Sequence, residues 1–149
     1  MKVWYFAYGS NLDLETMRRK VGSWYELKPA ILRNYRLVFD HYSPSWSGGT
    51  ADVVESEGGI VYGAAYLLDE EQLKILDRFE GVPTSYNRRK VLIEVAGEKL
   101  EAFTYVVSNP KKYVRPSEEY LSKVLKGLRR LGYGDDVVNG VRRAAMGKA

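Results

Sequence analysis

The sequence of 149 residues contains no cysteine and a single histidine, His41. The lack of cysteine excludes disulfide bonds, thiolate zinc sites and a cysteine nucleophile. One histidine also excludes a multi-histidine metal site, and a Ser-His-Asp triad would have to use His41. His41 follows Asp40 at the end of a predicted strand, where we expect a surface or loop role. Acid–base chemistry in this chain must therefore depend mainly on carboxylates, tyrosines or lysines, and we expect no metal.

Long hydrophobic runs are absent as well, since no apolar run approaches the roughly 20 residues that a membrane helix needs. The first residues, MKVWYF, lead directly into turn residues without the small-residue cleavage region of a signal peptide. We therefore expect a cytoplasmic protein with no membrane partner. The length, with 45% hydrophobic and 28% charged residues, predicts one globular domain over residues 1–149.

Charge of one sign is not concentrated in any part of the chain, although the net charge is +4. Short basic groups alternate with acids, a distribution typical of a solvated surface rather than of a nucleic-acid-binding stripe. We interpret the twelve tyrosines first as core and pocket lining. We expect no nucleic-acid partner, and a tyrosine-rich barrel that binds single-stranded nucleic acid is the least favoured alternative. The basic groups are Arg18-Arg19-Lys20, Arg88-Arg89-Lys90, Arg129-Arg130 and Arg142-Arg143.

Hydrophobic periodicity predicts an α+β fold, with a small, strongly curved mixed β-barrel of about six strands and flanking helices. A helix between the first two strands predicts that the first strand does not pair with its immediate successor. A turn at 57–59 should separate two of the strands, and residues 42–49 should form a loop. The predicted strands are 2–8, 32–40, 50–54, 60–68, 91–95 and 100–107; the predicted helices are 13–20, 69–79 and 117–131, with a short helix after Gly134.

The first predicted strand ends in the turn Tyr8-Gly9-Ser10-Asn11, directly before a helix capped by Asp13. Backbone N–H groups at a strand-to-helix turn point in one direction and attract a carboxylate. Gly9 would allow a ligand to approach the backbone, and Ser10 and Asn11 would add side-chain hydrogen bonds. By itself, however, the pattern is more typical of an ordinary turn in which Ser10 or Asn11 caps the helix.

Glu80 ends the second predicted helix, four residues after Leu76 and seven after Leu73. This spacing places Glu80 on the apolar face of the helix, with Gly81 as the cap. Burial and the negative end of the helix dipole would both raise the pKa of its carboxyl towards the range useful for proton transfer. A glutamate at a helix end with its side chain turned to water fits the same spacing equally well.

Five spaced segments occur in order along most of the chain: YFAYGSNL at 5–12, WSGGTA at 46–51, LDRFEGV at 76–82, YVVSN at 105–109 and PSEEY at 116–120. Together they resemble motifs of the γ-glutamylcyclotransferase family, whose enzymes release 5-oxoproline from γ-glutamyl compounds. Several matches in the correct order are far more specific than YGSN alone.

The resemblance implies a small β-barrel surrounded by helices, with a pocket at one end. It implies that Glu80 is the general base and that the turn after the first strand holds the glutamyl portion of the substrate. The resemblance also implies that two further tyrosines line the pocket. The residues implied to bind substrate are Tyr8, Gly9, Ser10, Asn11, Tyr105 and Tyr120.

The implied reaction is a transferase- or lyase-type cyclisation that needs no cofactor. The α-amine of the substrate attacks its own γ-carbonyl, closes a five-membered lactam and expels an amine. Glu80 would accept a proton from the α-ammonium group and return one to the leaving nitrogen. The substrate is implied to be a small γ-glutamyl amino acid or peptide, since Asn11 resembles the branch of the family that acts on γ-glutamyl amino acids.

Two alternatives on the same fold stay open. One is an enzyme of the same mechanism that acts on γ-glutamylamines or another γ-glutamylated metabolite. The other is a non-catalytic ligand-binding module, which Glu80 argues against because binding a glutamyl group needs no base. Residues 40–47 and the basic part after Gly132 differ from the family pattern, so the sequence does not identify the leaving group. It does not identify the oligomeric state either.

Overall fold

The computed structural model, which describes residues 1–148, contains five strands and four helices. A 3-10 turn, Ser10–Leu12, lies between the first strand and the first helix. The strands are β1 (Lys2–Ala7), β2 (Glu26–Ser43), β3 (Gly48–Asp69), β4 (Tyr86–Val95) and β5 (Glu98–Val107). The helices are α1 (Leu14–Val21), α2 (Glu70–Phe79), α3 (Glu118–Arg130) and α4 (Asp135–Ala145).

The strands form a closed barrel in the order β1-β3-β2-β4-β5. Neighbouring strands are antiparallel except β1 and β5, which pair in parallel at Tyr5 and Phe103 and so close the sheet. The predicted α+β class with a strongly curved, mixed sheet is therefore confirmed. As predicted, β1 does not pair with β2, because α1 carries the chain away and β1 lies against β3 instead.

The predicted break at 57–59 is wrong, because β3 continues through these residues. They bulge out opposite Asn34, which has a φ of 65° and accepts a hydrogen bond from the Gly58 backbone N–H at 3.0 Å. A bulge accommodates extra residues without ending the strand, so the sheet has five strands and not six. The pairs that flank the bulge are Tyr35 with Glu55 and Arg33 with Ile60.

The helices begin where local capping chemistry predicts. Asp13 caps α1 by accepting a hydrogen bond from the Thr16 backbone N–H at 3.1 Å. The alternative in which Ser10 or Asn11 caps this helix is wrong, since both belong to the separate 3-10 turn. Ser117 caps α3 in the same way as Asp13 caps α1.

The core fills the inside of the sheet and extends beneath the helices. Phe6 of β1, Leu76 of α2 and Val124 of α3 are all fully buried. Gly127 lets α3 pack directly on the 3-10 turn, because a Cβ there would lie 2.6 Å from the Cβ of Leu12. The second half of α3 is thereby held against the turn that follows β1. Among the residues described, no helix is both long and apolar enough to cross a membrane.

Two buried acids, Asp40 and Asp52, lie near a register shift between β2 and β3. Asp52 Oδ1 accepts hydrogen bonds from the backbone N–H groups of Val53 at 2.8 Å and Val107 at 3.0 Å. It thereby joins β3 to the end of β5. Burial, reinforced by the Asp40 carboxyl, raises the pKa of Asp52 to about 7. The folded protein therefore retains a proton at this pair that the unfolded chain releases.

We expect Asp52→Asn to change how stability depends on pH. The pKa of Asp52 rises from an ordinary 3.8 to about 7 on folding. Between these values the native state binds more protons than the unfolded chain, so the free energy of unfolding of the wild type falls as pH rises. The asparagine oxygen can still accept both N–H groups, and its amide can donate to Asp40. The variant should therefore gain stability relative to the wild type as pH rises.

Urea unfolding of both proteins at about pH 5 and about pH 8 measures this difference. A stability difference that is the same at both pH values would contradict the shared-proton interpretation of Asp40 and Asp52.

Candidate active site

A cavity of about 880 Å³ opens beside the end of β1. Its walls include the 3-10 turn, α1, the end of α2, the start of α3 and the β2–β3 loop. Its volume lies within the range of about 300–1,000 Å³ that is typical of small-molecule sites. The structure brings all seven site residues singled out by the sequence to this cavity, while their roles stay predictions. These residues are Tyr8, Gly9, Ser10, Asn11, Glu80, Tyr105 and Tyr120.

Glu80 follows the last residue of α2, and its backbone N–H donates to the carbonyl oxygen of Leu76 at 2.8 Å. Only 17% of its side chain is exposed, so the alternative in which the carboxylate is turned to bulk water does not fit the structure. Burial raises the pKa of Glu80, while Lys20 and Asn11 oppose this rise by stabilising the ionised form. The result is a carboxyl with a raised pKa on the cavity wall.

Lys20 is the residue that the sequence interpretation missed. Its ammonium lies 3.6 Å from Glu80 Oε2 and donates to Asn11 Oδ1 at 2.7 Å. Asn11 in turn donates from Nδ2 to the Tyr5 hydroxyl at 2.8 Å. A continuous polar chain therefore joins β1, the 3-10 turn and α1 to the carboxyl at the end of α2. Both ends of the Asn11 amide are occupied by protein groups.

The prediction that the basic group Arg18-Arg19-Lys20 forms a solvated surface is wrong for Lys20. Only 16% of the Lys20 side chain is exposed. Helical spacing places Lys20 on the same face as Thr16, four residues earlier, but only the structure shows that this face lines the cavity. What the sequence could not show is the partner, because Glu80 comes from a different helix.

Gly9 makes room for Tyr120. The φ of Gly9 is −118°, which is not the left-handed value that favours glycine. A Cβ at this position would instead lie 2.7 Å from the Tyr120 hydroxyl. That hydroxyl accepts a hydrogen bond from the Ala51 backbone N–H at 3.0 Å. Burial raises the pKa of Tyr120, so the hydroxyl keeps its proton and can donate it into the cavity.

The hydroxyl protons of Tyr8 and Tyr105 are committed to protein acceptors. Tyr8 donates to the carbonyl oxygen of Tyr105 at 2.6 Å. Tyr105 donates to Asp77 Oδ1, also at 2.6 Å, and Asp77 forms an ion pair with Arg88. These bonds fix the end of α2, three residues before Glu80. A substrate contact by either hydroxyl would therefore use an oxygen lone pair.

His41 lies on the cavity wall, half-buried within β2, so the expected loop position is wrong. Its Nδ1 lies 2.9 Å from Thr50 Oγ1, and Thr50 in turn contacts the Tyr86 hydroxyl at 2.7 Å. Burial lowers the pKa of His41, so the ring is neutral at neutral pH. The sequence pattern ends the strand too early because it does not reveal the register shift between Phe39 and His41.

The cavity combines three kinds of group: a carboxyl with a raised pKa, a tyrosine that keeps its proton and a turn of backbone N–H groups. Such a set can hold a small polar ligand and move protons within it. Within residues 1–148, no cluster of three or more His, Cys, Asp or Glu side chains is placed to hold a metal ion.

Comparison with known proteins gives consistent results. The model of the family described as Gamma-glutamyl cyclotransferase, AIG2-like, matches residues 5–123. A gamma-glutamylcyclotransferase from Bos taurus is 31% identical over 134 residues, which cover 86% of this chain and 71% of the relative. A gamma-glutamylaminecyclotransferase from Bos taurus is 34% identical over 77 residues, or 48% of this chain and 46% of the relative. A solved structure named Gamma-glutamyl cyclotransferase matches with a TM-score of 0.89 and 26% identity. The match covers 95% of this chain and 87% of the chain in that structure.

We expect Gly9→Ala to destabilise the protein because the added methyl group collides with the Tyr120 hydroxyl. Overpacking of this kind typically costs about 1–3 kcal/mol. In a Tyr120→Phe background the colliding oxygen is gone, so the same glycine substitution should cost much less. Denaturant unfolding of the two single variants, the double variant and the wild type gives the coupling energy. Additive effects would contradict a direct contact between Gly9 and Tyr120.

Proposed function

Because the chain belongs to the Gamma-glutamyl cyclotransferase, AIG2-like family, we propose that it releases 5-oxoproline from a γ-glutamyl amino acid or peptide. The observation that carries this proposal is the position of Glu80, a mostly buried carboxyl on the same cavity as the turn after β1. No cofactor is needed, since the attacking amine and the γ-carbonyl belong to one substrate molecule. We place the reaction in the cytoplasm.

The turn Tyr8-Gly9-Ser10-Asn11 holds the glutamyl portion of the substrate. The N–H groups of Ser10 and Asn11 begin a 3-10 turn and so have no acceptor within it. Both residues line the cavity. The Ser10 N–H interacts with the Tyr120 hydroxyl oxygen, so we assign the Asn11 N–H to the α-carboxylate or the carbonyl oxygen of the substrate. The Asn11 side chain acts indirectly, by orienting Lys20 beside Glu80.

Glu80 moves the protons of the reaction. It first accepts a proton from the α-ammonium group, which frees the nitrogen lone pair to attack the γ-carbon. The carbon–nitrogen bond to the leaving group breaks after the ring closes. Two protons in total pass from the attacking nitrogen to the leaving nitrogen through the same carboxyl, so the amine departs as an ammonium ion. A raised pKa suits a group that must both accept and donate.

Tyr120 stabilises the charge that develops on the γ-carbonyl oxygen. Its hydroxyl lies against Gly9 and has its proton available, because the Ala51 N–H occupies a lone pair of the oxygen. The ring of Trp46 packs edge-on against the Tyr120 ring, with 5.2 Å between centroids, and holds it in place. Fixed donors of this kind act where charge develops in the transition state.

The second candidate is an enzyme of the same mechanism that acts on γ-glutamylamines. The similarity to the gamma-glutamylaminecyclotransferase of Bos taurus favours it, although that match covers 48% of this chain. Incubation with γ-glutamyl dipeptides, γ-glutamylamines and glutathione, followed by assay of 5-oxoproline, distinguishes the two candidates.

We expect Glu80→Gln to keep the fold and to lower 5-oxoproline formation by about 10²–10⁴-fold, the usual contribution of a positioned acid–base group. Glu80→Asp should also be poor, because its carboxylate is withdrawn by one methylene. The assay is chromatography of 5-oxoproline, with circular dichroism to check folding. Glu118→Gln is the matched control, since Glu118 is exposed and lies outside the cavity lining. Full activity of Glu80→Gln would remove Glu80 from the mechanism.

We expect Lys20→Met to move the low-pH limb of the kcat/KM profile to higher pH. The ammonium 3.6 Å from Glu80 favours the ionised carboxylate, so its removal should raise the pKa of Glu80. The base is then ionised only at higher pH. Lys20→Arg keeps the charge and should leave the limb near its wild-type position. A profile that falls uniformly in Lys20→Met, without a shift, would mean that Lys20 acts only on structure.

A further inference from the structure

We propose that Arg19 binds the carboxylate of the leaving amino acid and so selects γ-glutamyl amino acids and peptides over γ-glutamylamines. The inference rests on the proposed function, because it assigns one more contact within the same cavity. Arg19 lines that cavity from α1, next to the lysine that contacts Glu80.

α1 contributes three residues to the cavity wall. Thr16, Arg19 and Lys20 are spaced by three and four residues, so they share one face of the helix, and all three line the cavity. Lys20 is mostly buried at Glu80, whereas Arg19 is exposed. The scissile bond must lie beside Glu80 for proton transfer. We place the leaving group on the solvent side of Glu80, where Arg19 belongs to the cavity lining.

Among the three cations that line the cavity, Arg19 is the one without an ion-pair partner in residues 1–148. Lys20 is paired with Glu80, and Lys123 lies 3.6 Å from Asp13 Oδ2. Within residues 1–148, no acidic group lies within ion-pair distance of Arg19. A guanidinium on a concave wall without an internal partner is available to an anionic ligand group.

The leaving amino acid supplies the complementary charge. Its amine is tied up in the scissile amide, so its carboxylate is the one charge that every such leaving group carries. A simple amine leaving group has no charge at this stage. The planar guanidinium matches a carboxylate through two parallel hydrogen bonds, which gives both strength and orientation.

Two substrates that differ only in this carboxylate provide the test. γ-Glutamylalanine and γ-glutamylethylamide have the same skeleton, except that hydrogen replaces the alanine carboxylate in the second. We expect Arg19→Gln to lower kcat/KM for γ-glutamylalanine by about tenfold, mostly through KM, as loss of a charge-assisted hydrogen bond implies. The kcat/KM for γ-glutamylethylamide should not change.

Arg18→Gln is the matched control. It removes the same charge from the neighbouring position of α1, but Arg18 packs over the Trp24 ring at 5.4 Å and lies outside the cavity lining. It should affect neither substrate. An equal loss on both substrates in Arg19→Gln, or an equal effect of Arg18→Gln, would overturn the assignment of Arg19 and leave the proposed function standing.

If the wild type releases 5-oxoproline from neither compound, the proposed function fails, and calorimetric binding of the same two compounds decides the role of Arg19. Tighter binding of γ-glutamylalanine than of the ethylamide, with the difference lost in Arg19→Gln, would support a carboxylate contact. Equal binding, or no binding of either compound, would overturn it.

Discussion

The ion pair between Glu80 and Lys20 is the interaction on which the candidate site depends. A mostly buried carboxylate is costly unless a positive charge lies beside it. Lys20 supplies that charge at 3.6 Å and is itself held by Asn11, which in turn contacts Tyr5. The pair therefore balances two opposed effects on one carboxyl: burial raises its pKa and the ammonium lowers it. A group poised in this way can exchange protons with a bound ligand.

The rest of the fold keeps this pair in position. Asp77, near the end of α2, accepts a hydrogen bond from the Tyr105 hydroxyl. This bond holds in place the backbone that carries Glu80. Gly127 lets α3 pack on the 3-10 turn, and the glycine before that turn makes room for Tyr120. The closed sheet joins these parts, because β1 and β5 pair directly with each other and contribute Tyr5 and Tyr105 to the cavity lining.

The parts of the fold that depend on local chemistry could be predicted from the sequence. Asp13 and Ser117 cap helices as expected, because a cap is decided within four residues. The bulge opposite Asn34 and the length of β2 depend on pairing with distant residues, so the hydrophobic pattern gave one strand too many. The sequence placed Glu80 on the correct helix face, yet it missed Lys20, whose partner lies 60 positions away in the chain.

The most direct test is to measure the pKa of the Glu80 carboxyl. A ¹³C NMR titration of its side-chain carboxyl, assigned by comparison with Glu80→Gln, reports its ionisation without any assumption about the substrate. We expect a midpoint above the ordinary glutamate value of 4.5, and a change in that midpoint when 5-oxoproline is added. An ordinary midpoint that does not respond to 5-oxoproline would contradict the placement of a proton-transferring carboxyl in this cavity.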